Sequence, residues 1–174
     1  MAGKPFHAGH YGLVEIASKE NDEVQLFVST TDRKRPGELP IYGADMLRVW
    51  KRFLEPIMPS NAVVKYCDAP VKELFKELEA ADASGDSDTV FSIYSDSRDI
   101  VKYNDAVLKK SAPRMFDGGQ IVRRSVDRNE TVNISGTMMR DMLARGDTKN
   151  FGKFLPPPIS GNAVEIIDML KRSK

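Results

Sequence analysis

Hydrophobic and polar positions along this chain switch between a helical and a strand period, and the switches outline a series of elements. Residues 9–19 put Leu13, Ile16 and Ala17 on one helical face, and an amphipathic helical spacing returns over 71–81. Between them, residues 23–30 (Glu-Val-Gln-Leu-Phe-Val-Ser-Thr) read as a buried strand. The basic stretch 31–42, with two prolines and a glycine, is a loop. After it comes a helix over 44–54 with Met46, Leu47, Trp50, Phe53 and Leu54 at helical spacing. Further strands are expected at 62–66, 89–94 and 120–126, with a solvated turn over 82–88. A helix over 138–145 stops at Gly146, Pro156-Pro157-Pro158 ends a short helix or turn, and 161–172 makes a closing helix. Such alternation predicts one α/β domain over 1–174: a Rossmann-like parallel sheet of four or five strands flanked by helices, with a C-terminal helical extension from about 147 to 174.

Composition narrows the class. With 174 residues, 41% hydrophobic and 29% charged, the chain can bury a sizeable core. A net charge of +1 provides no global field, so neither nucleic acid nor membrane is expected as a partner and any anion site must be local. The absence of a long apolar run or secretory leader, together with a single cysteine, points to a reducing cytoplasm, that of the host if the chain is viral. Cys67 closes an apolar run and reads as a buried structural thiol. The three aspartates of 82–88 lack the ligand ladder of a calcium loop.

The candidate chemistry lies in two distant motifs. Both histidines fall in His7-Ala8-Gly9-His10, just where helix one begins. Paired imidazoles, a glycine that lets a ligand approach the backbone, and the amides and dipole of a helix start together suit phosphate oxygens. Two surface histidines in a loop are the plainer alternative. Far downstream stands Ile134-Ser135-Gly136-Thr137-Met138-Met139-Arg140, in which Ser135 caps a helix and Arg140 lies one turn along. Alone, that segment is an ordinary capped helix with an exposed arginine; beside the histidines it becomes a second anion cradle. Met138, Met139, Met142 and Trp50 read as core filling. A loop of the His7–His10 kind normally follows a strand, yet only Met1-Ala2-Gly3 precede Lys4. A first strand is therefore expected upstream of Met1, the alternative being a sheet built without it.

His7-x-Gly9-His10 with Ile134-Ser135-Gly136-Thr137-x-x-Arg140 resembles the cytidylyltransferase-like superfamily of HxGH nucleotidylyltransferases. That group includes nicotinamide-mononucleotide and phosphopantetheine adenylyltransferases. The chain looks closest to uncharacterised nucleotidyltransferases of tailed phages, through residues 1–10, 28–36, 93–96 and 132–140. The resemblance implies transfer of a nucleoside monophosphate, AMP ahead of CMP, from a triphosphate to a small phosphorylated acceptor, with release of pyrophosphate. It implies that His7, His10 and Arg140 are catalytic. Lys4, Gly9, Ser135, Gly136 and Thr137 would contact the triphosphate, and Asp96 its base or ribose. Two departures stand out: Ala44-Asp45 with Arg48 replaces the relatives' acidic-basic pair, and Ser95-Asp96 replaces a glycine near an aspartate. The acceptor phosphate would then fall to Arg48 or to Arg33, Lys34 and Arg35, which read equally well as a solvated basic loop. Magnesium would travel with the triphosphate, with no metal site of the protein's own. A homo-oligomer is compatible with this reading, and the rival is a non-catalytic nucleotide-binding or virion-associated protein that keeps the fold.

Overall fold

The computed structural model describes residues 4–127 and 130–171. Arg172, the expected last residue of the closing helix, and Met1-Ala2-Gly3 lie outside them. Helix α1 (Ala8–Glu20) leads into β1 (Val24–Ser29). After the loop, α2 (Gly43–Val49) runs on through a π-helical turn (Trp50–Leu54) and a 3-10 turn (Glu55–Ile57), where Pro56 has no N–H to continue the helix. The chain then forms β2 (Ala62–Cys67), α3 (Pro70–Ser84) and β3 (Phe91–Ser95). Two short helices follow, α4 (Asp105–Ser111) and α5 (Pro113–Asp117), and then β4 (Ile121–Ser125). The closing elements are α6 (Gly136–Arg145), α7 (Thr148–Lys153), a 3-10 turn (Pro157–Asn162) and α8 (Ala163–Lys171). Among the described residues no helix is long and apolar enough to cross a membrane.

The expected mixed α/β character is present, but the strands form two separate parallel pairs where a single four- or five-stranded sheet was expected. β1 lies beside β2 in register from Val24–Ala62 to Ser29–Cys67, and β3 beside β4 from Phe91–Ile121 to Ser95–Ser125. Helix α1 packs on both β1 and β3. Side chains tie its end to the second pair: Tyr94 donates to Glu20 Oε2 at 2.7 Å, and Asn21 donates to the Tyr94 hydroxyl at 2.8 Å.

Two hydrophobic clusters match the two pairs. The larger gathers Val14 of α1, Leu26 and Val28 of β1, Met46 and Trp50, Met139 and Leu143 of α6, and Phe151, Ile166 and Leu170 of the C-terminal helices. The smaller consists of Leu78, Ile93, Leu108, Ala112 and Met115. Several expected core positions shift. In α1, Val14 and Ala17 are buried while Leu13 and Ile16 are only partly covered. Met138 is 46% exposed, because it falls one step off the Met139–Met142–Leu143 face of α6. Cys67 is half-buried at the strand end; burial still pushes its thiol pKa up. Asp82 belongs to α3, not to a solvated turn: its carboxylate accepts the Met115 N–H at 2.7 Å at the start of α5.

Candidate functional site

Helix α1 begins with His7 as its N-cap. The His7 carbonyl accepts the His10 and Tyr11 N–H groups at 2.9 and 3.1 Å, while Nδ1 of the same residue lies 3.4 Å from the His10 amide. This role as acceptor leaves His7 Nε2 to carry the ring proton. The two imidazoles stack with centroids 3.7 Å apart and 17° between planes, and Phe6 stacks on the other side of His10. His10 Nδ1 is buried without a hydrogen-bond partner. Burial first, and the neighbouring His7 second, hold the His10 pKa well below the usual histidine value, so the ring is neutral at pH 7. One expectation changes here. The first amide of α1 is not open to a ligand, because Ala8 N–H donates to the Phe154 carbonyl at 2.8 Å. Side chains therefore carry more of any anion binding than the helix start does.

The second motif comes up against the first. Ser135 caps α6, its hydroxyl accepting the Met138 N–H at 3.2 Å. Gly136 and Thr137, as the first helical residues, direct N–H groups out of the helix end. Arg140 is buried, not exposed: Nη1 donates to the Lys4 carbonyl at 2.9 Å and Nη2 to the Thr137 hydroxyl at 2.9 Å. A Cβ on Gly136 would lie 3.0 Å from Arg140 Nη1, and one on Gly9 would lie 2.9 Å from the Val132 carbonyl. A side chain at Gly9 would therefore press on the Val132 backbone just ahead of the second motif, and one at Gly136 would crowd the Arg140 guanidinium. Lys4 is buried, with Nζ 3.5 Å from the Ser29 hydroxyl at the end of β1; burial pulls its pKa down.

The loop between β1 and α2 closes over this junction. Arg33 and Ile41 exchange backbone hydrogen bonds of 2.8 and 3.0 Å, which fold the loop into a hairpin. Gly43 is pressed so close to the Thr30 carbonyl that a Cβ would lie 1.6 Å from its oxygen, and Asp32 accepts the Gly43 N–H at 2.8 Å. This packing presents Glu38 to Arg140, with Oε1 3.1 Å from Nη2 and Oε2 3.0 Å from Nε. Arg33 Nη2 reaches Glu38 Oε2 at 3.2 Å. The Arg140 guanidinium, with Arg33 behind it, keeps the Glu38 pKa below the ordinary carboxylate value.

The remaining expected residues divide. Arg35, with Lys34, lines a cavity of about 370 Å³ beside Glu38. Arg48 stays on α2, ion-paired with the buried Asp45. Asp96 accepts the Arg98 and Asp99 N–H groups at 3.0 and 2.9 Å, so its carboxylate is held in its own turn after β3. Glu38 and Ser29 had no sequence signal beyond being one acid and one hydroxyl near basic residues. A second cavity, about 530 Å³, lies against Ala8 and Val132 and is bounded by Lys149, Lys153 and Leu155 of the C-terminal segment. Among the described residues no group of three or more His, Cys, Asp or Glu side chains is placed to cage a metal ion. Compared with family models, with curated proteins and with solved structures, the chain matches none.

Proposed function

We propose that this chain is a nucleotidylyltransferase that moves a nucleoside monophosphate from a triphosphate to a small phosphorylated acceptor. A phosphate oxygen of the acceptor attacks the α-phosphorus, the bond from the α-phosphorus to the bridging oxygen breaks, and pyrophosphate leaves with that electron pair. The observation that carries the reading is the hydrogen bond from Arg140 to the Lys4 carbonyl across 136 positions, which joins the two phosphate-type motifs. Neutral imidazoles donating from His7 and His10 would steady charge on the α-phosphoryl group. Arg140, Thr137 and the Gly136 amide would hold the departing phosphates. Lys4 adds a cation within the same junction.

The two cavities flank this centre. The one bounded by Ala8 and Val132 offers space for base and ribose, and the one lined by Lys34 and Arg35 offers cations for the acceptor phosphate. ATP is favoured over CTP because the Ser135-Gly136-Thr137 form resembles adenylylating relatives more closely. Magnesium would enter as the triphosphate complex, a substrate and not a resident ion. The test is pyrophosphate release with ATP or CTP against nicotinamide mononucleotide, a phosphorylated sugar and a phosphorylated alcohol. Acceptor-dependent release is expected. Triphosphate binding without release under any pairing favours a non-catalytic binding protein, and no binding at all removes both readings.

A further inference from the structure

Glu38 meets two guanidinium groups with both of its carboxylate oxygens. Its two carboxylate oxygens lie 3.1 and 3.0 Å from Arg140 Nη2 and Nε, and Arg33 Nη2 shares one of them at 3.2 Å. Arg140 is 4% exposed, and Glu38 is the one carboxylate that meets this buried guanidinium beside its bonds to the Lys4 carbonyl and the Thr137 hydroxyl. The donors outnumber the acceptors. Arg33 Nε is buried with no partner at all, and Arg140 Nε lies within reach of Glu38 without a well-aligned bond. With the Lys4 carbonyl and the Thr137 hydroxyl each taking an Arg140 N–H, the remaining groups of the two guanidinium forks still exceed what one carboxylate accepts, whereas a diphosphate brings more acceptor oxygens. Glu38 also sits on a loop rather than in the core. Gly37 beside it adopts φ +77° with open space around it, and the cavity lined by Lys34 and Arg35 adjoins the Glu38 side chain.

We propose that Glu38 is a built-in competitor that holds the Arg33–Arg140 seat and swings out of it with its loop when the β- and γ-phosphates of a triphosphate arrive. The inference rests on the nucleotidyl-transfer reading and adds a selection rule to it. A ligand must carry more charge and more acceptor oxygens than a carboxylate to win the seat. A polyphosphate exceeds the carboxylate by a wider margin of charge and oxygens than a lone monophosphate does, which biases the leaving-group site against the acceptor's own phosphate.

Titration calorimetry with pyrophosphate and with inorganic phosphate tests this on the full chain. Glu38→Gln is the main variant, and Glu77→Gln, which removes a remote carboxylate paired with Lys65, is the control. The wild type is expected to prefer pyrophosphate strongly. Glu38→Gln should bind pyrophosphate about tenfold tighter, a change of about 1.4 kcal/mol, and should narrow the preference over inorganic phosphate. Glu77→Gln should match the wild type. A folded Glu38→Gln with equal or weaker pyrophosphate affinity overturns the proposal, as does an equal gain in the control. If Glu38→Gln fails to fold, Glu38→Asp replaces it: one methylene shorter, it cannot span both arginines and should also bind tighter, and no gain there overturns the idea. A wild type that binds neither pyrophosphate nor any nucleoside triphosphate defeats the nucleotidyl reading itself, an outcome distinct from an unresponsive Glu38→Gln.

Discussion

The β1–β2 region and the β3–β4 region are built from the same unit, a parallel strand pair with a helical crossover, yet they differ in what surrounds them. Around β1–β2 the core draws on α1, α2, α6 and the C-terminal helices, and it includes Trp50, Met139 and Leu143, none of them reaching solvent. Around β3–β4 the cluster is small, gathering Leu78, Ile93, Leu108, Ala112 and Met115. The bond from Arg140 to the Lys4 carbonyl, which joins the two candidate motifs, lies on the first side. The β3–β4 side contributes Asp96, whose carboxylate is held in its own turn. A large core beside the motif junction holds side chains at fixed distances, which the proposed polyphosphate grip requires. The lighter region has fewer buried contacts to resist local opening.

Substitutions on either side can break or sharpen this contrast. The largest effect is expected from His10→Ala: pyrophosphate release should fall by about 10²–10³-fold or more, with the thermal melt nearly unchanged. Undiminished turnover would separate the imidazoles from the chemistry. Leu143→Ala in the large core should cost about 3–4 kcal/mol, and Leu108→Ala in the small one about 2–3 kcal/mol. Denaturant unfolding measures both. Hydrogen exchange should show the Leu108 variant loosened chiefly across β3, α4 and β4, with pyrophosphate binding retained. Equal loss of binding in the two variants would dissolve the distinction between the regions. Gly9→Ala forces the Val132 carbonyl or the His7 ring to shift. It should cost about 1–2 kcal/mol and weaken pyrophosphate binding, read by calorimetry.

A pH series gives a smaller effect. His10 has its pKa lowered in the folded chain, so its share of stability is complete above the unfolded value of about 6.5 and declines as pH falls from there through the depressed folded value. The decline amounts to no more than about 1.4 kcal/mol per pH unit for one proton, and His10→Ala should remove it from denaturant midpoints taken between pH 8 and 5. Smallest of all, Asp96→Asn should leave triphosphate affinity within about twofold, since the amide oxygen can still accept from the same turn. A large loss of affinity would bring the β3–β4 region into the site.

Local signals in the chain were sufficient for some of this. Hydrophobic periodicity located the four strands of the described residues to within one or two positions, and Ser135 and Gly146 marked the ends of α6 because capping and left-handed glycine are decided within one turn. It did not reveal α4 and α5, seven and five residues long, which are too short to display a full apolar stripe. The two motifs could be picked out as candidates for phosphate chemistry from residue type and spacing alone. Their meeting could not, nor could the capture of the Ala8 amide by the Phe154 carbonyl or the seating of Glu38 on Arg140. Periodicity and capping depend on neighbours three or four positions away, whereas these contacts join residues 102 to 146 positions apart, and only the packing of α6, the end of α7 and the hairpin loop against the start of α1 determines them.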